Sequence, residues 1–186
     1  VLIASMSLDL GGAETHIVEL CLKLQSRGLE VVAVSSGGIF VERLQRAGIR
    51  HIEAPLHSRS PSSMLQARKI LAEILRKEQP DIVHAHARIP AFLLSSLCKK
   101  QGIALVTTVH GSYAVSLPLR LLTRWGCKCL AVSDDICSYL MENYDIPRRD
   151  IFVTVNGIDT GLFSPDPAQG EALRRELSIA PEEKVL

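Results

Sequence analysis

Aromatic residues are scarce. Phe, Trp and Tyr make up 4% of the 186 residues, so any core must be built mostly from aliphatic side chains. That suits a buried parallel sheet rich in Val, Ile and Leu. Net charge is nearly absent as well: a formal +1 gives no general reason to expect nucleic acid or a strongly acidic partner. No apolar stretch is long enough to cross a bilayer. No secretory leader is visible, and because the sequence begins at Val1 rather than Met, an upstream start is expected. The five cysteines are odd in number and do not form a secreted disulfide framework, so a reducing cytoplasm is the expected compartment.

What is present is alternation. Short apolar runs at residues 1–4, 30–35, 49–53, 81–85, 104–109, 130–132 and 151–155 read as strands. Between them, 3.6-residue patterns read as helices over 13–27, 41–47, 64–77, 91–100, 117–125 and 134–143. Cys21 and Cys98 fall in two of these helices as small hydrophobes, while Cys127 and Cys129 resemble half a zinc site without a second pair and read better as thiols on one strand face. Strands alternating with helices through short links imply an α/β fold. The expectation is a Rossmann-like, doubly wound, mainly parallel sheet of about seven strands with helices on both faces. After Val155 the texture changes. Residues 1–165 read as one domain; 166–186 read as a linker with a charged helix over 171–177 and the start of a further strand at Lys184-Val185-Leu186, entering a missing second domain.

In open parallel sheets, ligands bind beyond the carboxyl ends of the strands, near the point where strand order reverses. Polar residues gather at these ends: Ser5, Ser7 and Gly11-Gly12; His84, His86 and Arg88; His110-Gly111-Ser112; Ser133-Asp134; Asn156-Gly157. Gly11-Gly12 has two readings. One is a tight turn that uses positive φ. The other is an anion approaching a helix N-terminus, where unpaired N–H groups carry partial positive charge. His84 and His86 alternate, so they share a strand face and permit a metal pair with His110 or His16 as third ligand; structural histidines are the alternative, and no metal is expected. No Ser-His-Asp grouping has support beyond the presence of its members.

Five motifs in order carry a resemblance: GGAE (residues 11–14), DIVHAH (81–86), TVHG (108–111), AVSD (131–134), and NGID (156–159) followed by FSP (163–165). Together they make the chain, over its whole length, resemble the N-terminal domain of glycosyltransferase family 4, retaining sugar-transfer enzymes of the GT-B fold. The resemblance implies two facing Rossmann-like domains. The N-terminal one binds mainly acceptor and the C-terminal one a nucleotide-sugar donor, without a metal or other cofactor. The family's paired glutamates belong to the C-terminal half, so this chain alone is expected to be inactive.

By resemblance, Gly11 and Gly12 lie against the donor diphosphate and the acceptor. His110, with Gly111 beside it, sits next to the transferred sugar as the catalytic candidate. Glu14 complements the helix dipole or contacts substrate. His86 and Arg88 meet an acceptor hydroxyl or phosphate, or are solvated surface. Ser133 caps a helix, with cleft exposure secondary, and Asn156 sets the interdomain turn. The implied partners are a UDP-, GDP- or ADP-sugar and a sugar, lipid or small-molecule acceptor. An anionic acceptor could be met by residues 57–60, Arg68 and Lys69; the apolar, basic stretch 117–125 suits either a core helix or peripheral contact with the inner membrane face. Three rivals stand beside this reading: a sugar-nucleotide epimerase of the same fold, a non-catalytic binding module, and a metal hydrolase.

Overall fold

The computed structural model describes every residue except Arg59, Pro118, Leu119, Leu121, Leu122, Leu162 and Leu186. Seven strands form one sheet: β1 (Leu2–Ala4), β2 (Val32–Ser35), β3 (Arg50–Glu53), β4 (Ile82–Ala85), β5 (Ala104–Val109), β6 (Lys128–Ala131) and β7 (Ile151–Val153). All neighbours pair in parallel in the order β3-β2-β1-β4-β5-β6-β7, so the chain reverses its direction of travel across the sheet between β1 and β4. The helices are α1 (Gly12–Ser26), α2 (Val41–Arg46), α3 (Pro61–Glu78), α4 (Arg88–Gln101), α5 (Asp134–Tyr144) and α6 (Pro167–Glu176).

Alternation along the short strands divides the core. Leu2, Ala4, Val32, Val34, Val83 and Ala85 pack with α3 and α4. Ile3 and Ala33, one residue out of phase, pack with Ile17, Val18 and Cys21 of α1 and Leu44 of α2. His84, paired in register with Ile3, therefore belongs to the α1 side of the sheet. A third cluster joins Val109, Cys129, Ala131 and Ile151 to Ile136, Cys137 and Leu140 of α5.

The chain divides into two compact units, Val1–Asn156 and Gly157–Leu186. The second contains α6, capped at Asp166, whose side chain accepts from the Gln169 amide at 3.0 Å. Lys184 and Val185, expected to enter a strand, are not in one, and Leu186 lies outside the described residues.

Several local expectations are corrected. α4 starts at Arg88 rather than at residue 91, because Pro90 sits in its first turn, where no intrahelical N–H is required. Of the helix expected over 117–125, Pro118, Leu119, Leu121 and Leu122 lie outside the described residues, Leu117 and Arg120 are helical, and Thr123–Gly126 are not. Trp125 is buried and meets Tyr144 edge-on at 5.3 Å, which assigns it to the core below β6 rather than to a surface. Only Cys129 of the Cys127–Cys129 pair lies in a strand; Cys127 precedes β6 and is exposed. No helix among the described residues is long and apolar enough to cross a membrane.

The loop from β1 to α1 is fixed from a distance. Its buried anchor, Leu8, donates its amide to the Gly37 carbonyl at 2.8 Å and accepts from the Phe40 amide at 3.0 Å. Gly38 has φ 136°, and a Cβ there would collide with the Leu8 carbonyl. Gly38→Ala should therefore combine backbone strain with overlap and cost about 3 kcal/mol. Gly12 has open space where a Cβ would stand, so Gly12→Ala should stay within about 1 kcal/mol. Urea denaturation of the two variants checks the contrast; equal losses would contradict it.

Candidate active site

The carboxyl ends of β1, β4 and β5 meet at the reversal of strand order. Four imidazoles gather there. His86 follows β4 and extends its pairing, with its amide donating to the Ala4 carbonyl at 2.8 Å. His84 and His86 share a face as expected, their rings 4.2 Å apart. His110, just past β5, shares a 3.1 Å hydrogen bond between its Nε2 and His86 Nδ1. His16, in the second turn of α1, brings its ring within 5.9 Å of His86 and 5.2 Å of His110. Behind them, His84 Nε2 and Thr108 Oγ1 share a 2.7 Å bond across β4 and β5.

Burial makes these histidines weak bases. Desolvation, then the neighbouring His16 and His110, lowers His84 to about 4. Desolvation, then His16, lowers His110 to about 4. His86 is pushed well below its ordinary value, again first by desolvation and then by the other three rings. His16 is lowered by burial alone. At neutral pH the cluster is uncharged. In a neutral pair, the His86–His110 bond takes one proton and one lone pair. Whichever ring donates, the two outer nitrogens, His86 Nε2 and His110 Nδ1, are then one lone pair and one N–H. Both are buried without a hydrogen-bond partner among the described residues.

Neither glycine of the pair uses positive φ. Gly11 caps α1 in an extended conformation with φ 176°, and Gly12 is the first helical residue. No side chain caps this end of α1, and both glycines are exposed. Glu14 folds its carboxylate over Gly11, occupying the place where a Cβ would stand. That position in the first turn complements the helix dipole.

Arg88 begins α4 and lies over the Tyr113 ring, 4.3 Å from its centroid. Its Nη1 is buried without a hydrogen-bond partner among the described residues. Tyr113 is itself held from α5: the Tyr139 hydroxyl donates to the Tyr113 carbonyl at 3.0 Å and accepts from the Tyr113 amide at 3.2 Å. Gly111 immediately follows His110, with open space where a Cβ would stand.

Two expected site residues lie farther along the same edge. Ser133 follows β6, and its side chain is committed to capping α5, accepting from the Ile136 amide at 3.3 Å. Asn156 is exposed beyond β7, the edge strand. At about 4.8 Å per strand, β7 stands roughly 14 Å from β4, so Asn156 does not join the histidine cluster. Two contributors, Tyr113 and Tyr139, fall outside the expected residues, and two more, His16 and His84, are expected only as candidate metal ligands. His16 had a signal, its place in the first turns after the glycine pair. The two tyrosines had none, because their meeting depends on how α5 packs.

A Rossmann-like sheet with its polar groups gathered at the reversal of strand order is the arrangement at which open α/β sheets bind ligands. The family model for Glycosyltransferase Family 4 matches residues 10–162, and the chain belongs to that family. It is 30% identical to N-acetyl-alpha-D-glucosaminyl L-malate synthase of Bacillus anthracis, over 96% of this chain and 50% of that protein. It is 28% identical to D-inositol 3-phosphate glycosyltransferase of Frankia alni, over 88% of this chain and 48% of that protein. A solved glycosyltransferase from Rickettsia africae superposes with a TM-score of 0.82 at 25% identity, over 97% of this chain and 50% of that one. The chain thus spans about half the length of the curated relatives it matches.

Proposed function

We propose that this chain is the acceptor-side half of a retaining, metal-independent glycosyltransferase that moves a sugar from a nucleotide-sugar donor to an acceptor. The observation that carries the reading is that α1's uncapped N-terminus, His110 and Arg88 follow β1, β5 and β4 at the reversal of strand order, in a chain that belongs to a family of sugar transferases. In this reading the exposed Gly11-Gly12 backbone lies against the donor diphosphate. The first N–H groups of α1 then favour the negative charge that grows on the departing nucleoside diphosphate. His110, neutral at physiological pH, hydrogen-bonds the transferred sugar beside the reacting carbon. A second domain supplies the remaining donor contacts, and the domain alone does not turn over. Much of the rate comes from holding donor and acceptor together.

The acceptor is anionic. The names of the two curated relatives contain L-malate and D-inositol 3-phosphate, both negatively charged at neutral pH. Arg88 offers a guanidinium steadied on Tyr113, with one nitrogen buried and unpartnered. The test uses the protein with both domains, UDP-, GDP- and ADP-sugars, and carboxylate- and phosphate-bearing acceptors, all in EDTA. Nucleoside diphosphate release with retained anomeric configuration is expected. No release, or an inverted product, would contradict the reading. In the same assay, Arg88→Gln should raise the acceptor KM about 10- to 100-fold, the loss of a hydrogen bond to a charged group, with the donor KM unchanged. An unchanged acceptor KM would remove Arg88 from the acceptor site.

A further inference from the structure

The three histidines His16, His86 and His110 each offer one ring nitrogen, and these nitrogens lie within 4.8 Å of one another. Among the described residues the group contains no carboxylate and no thiolate. Their origins differ: His16 comes from α1, His86 from the end of β4 and His110 from the end of β5. Rigid elements hold all three, since β4 pairs with both β1 and β5 and α1 packs on Ile3.

His86 is 96% buried by its 4% exposure, so a cation held there would be largely shielded from water. The spacing suits a cation. Two nitrogens held about 2.0–2.1 Å from one tetrahedral centre stand roughly 3.3 Å apart. His86 Nδ1 and His110 Nε2 are 3.1 Å apart.

We propose that His16, His86 and His110 form a three-imidazole site for a borderline divalent cation, Zn²⁺ being the type. An all-nitrogen set suits Zn²⁺ and disfavours Mg²⁺ and Ca²⁺, which require oxygen ligands. Each neutral imidazole gives one lone pair to the cation and keeps its single proton on the other nitrogen, so binding needs no net proton release. His16 is half-buried and supplies the open side of the site, with the fourth position left for water or another small ligand. One consequence rests on the transferase reading: Zn²⁺ bound to His110 would compete with the sugar for that imidazole, and so inhibit transfer rather than support it. The binding itself does not depend on that reading.

The test is a Zn²⁺ titration of the tag-free chain against a zinc-chelating dye, with Mg²⁺ as the comparison. One Zn²⁺ per chain is expected, undisturbed by excess Mg²⁺. Cys127→Ser, which removes the exposed thiol, should leave the affinity unchanged. His16→Ala, at a half-exposed helical position that tolerates alanine, should weaken it at least about 100-fold; loss of a supporting residue alone costs 10–100-fold. Circular dichroism confirms that both variants are folded. The cobalt complex should show the visible absorption of tetrahedral Co²⁺, and His16→Ala should abolish it. Absence of one-to-one binding, affinity lost with Cys127→Ser, or affinity retained in His16→Ala would each overturn the proposal.

Discussion

Replacing His110 with alanine in the two-domain enzyme is expected to lower kcat for sugar transfer about 10²- to 10³-fold, the scale for removing one preorganised group that stabilises developing charge. The donor KM should change little, because in the proposed reading α1 and a second domain would hold the diphosphate. His110 stands at the carboxyl end of β5, ordered by its bond to His86 and by its T-shaped contact with His16. Its removal also strips His86 Nδ1 of its hydrogen bond to His110. A structural loss must therefore be separated from a catalytic one by measuring urea stability on the same preparation. A fall in kcat with near-native stability supports the assignment. An unchanged kcat, or a loss wholly explained by unfolding, would return His110 to a structural role.

The second large effect is on stability against pH. His84 is lowered from 6.5 to about 4, first by burial and then by His16 and His110. The folded chain therefore resists a proton that the unfolded chain accepts below about pH 6.5. Stability from this group is complete above that value and falls as pH drops through the window from about 6.5 to about 4. The full shift is worth about 3 kcal/mol. Urea denaturation of the chain at pH 7.5 and at pH 4.5 should show a loss of at least about 2–3 kcal/mol from this residue alone. Only the upper part of this window lies above the ordinary carboxylate range, so a His84→Gln variant isolates the histidine. His84→Gln keeps a polar partner for Thr108 while removing the titration. It should flatten the pH dependence by about that amount even if it is less stable at pH 7.5. An identical pH dependence in the variant would mean that His84 is not the source.

The sheet was legible because its strands are nearly continuous aliphatic runs bounded by Gly, Pro and polar clusters; β2, β4 and β5 are the clearest cases. Helix ends were legible where a residue has one conformational use. Gly28 and Gly102 close α1 and α4 at positive φ. Ser133 caps α5 through its side chain. Errors arose where a residue has two uses. A proline can end a helix or begin one, and Pro90 occupies the first turn of α4, ahead of the start expected at residue 91.

The site was legible only strand by strand. Its groups each follow a strand, so topology brings His86, Arg88, His110 and Gly11 to one edge. The sequence could not rank Ser133 and Asn156 as distant, since that depends on strand order rather than chain order. Gly38 is the sharpest case. Nothing near it in sequence needs a glycine with φ 136°; the need comes from Leu8, thirty residues away in the chain, whose backbone fills the space.

The central claim is that this chain forms the acceptor-side wall of a sugar-transfer cleft. The most direct measurement is a crystal structure of the two-domain protein with nucleoside diphosphate, sugar and an anionic acceptor. The account predicts the diphosphate over Gly11-Gly12, a sugar hydroxyl within hydrogen-bond distance of His110, and the acceptor anion on Arg88. An acceptor held wholly by the second domain, with His110 and Arg88 free of substrate, would contradict it.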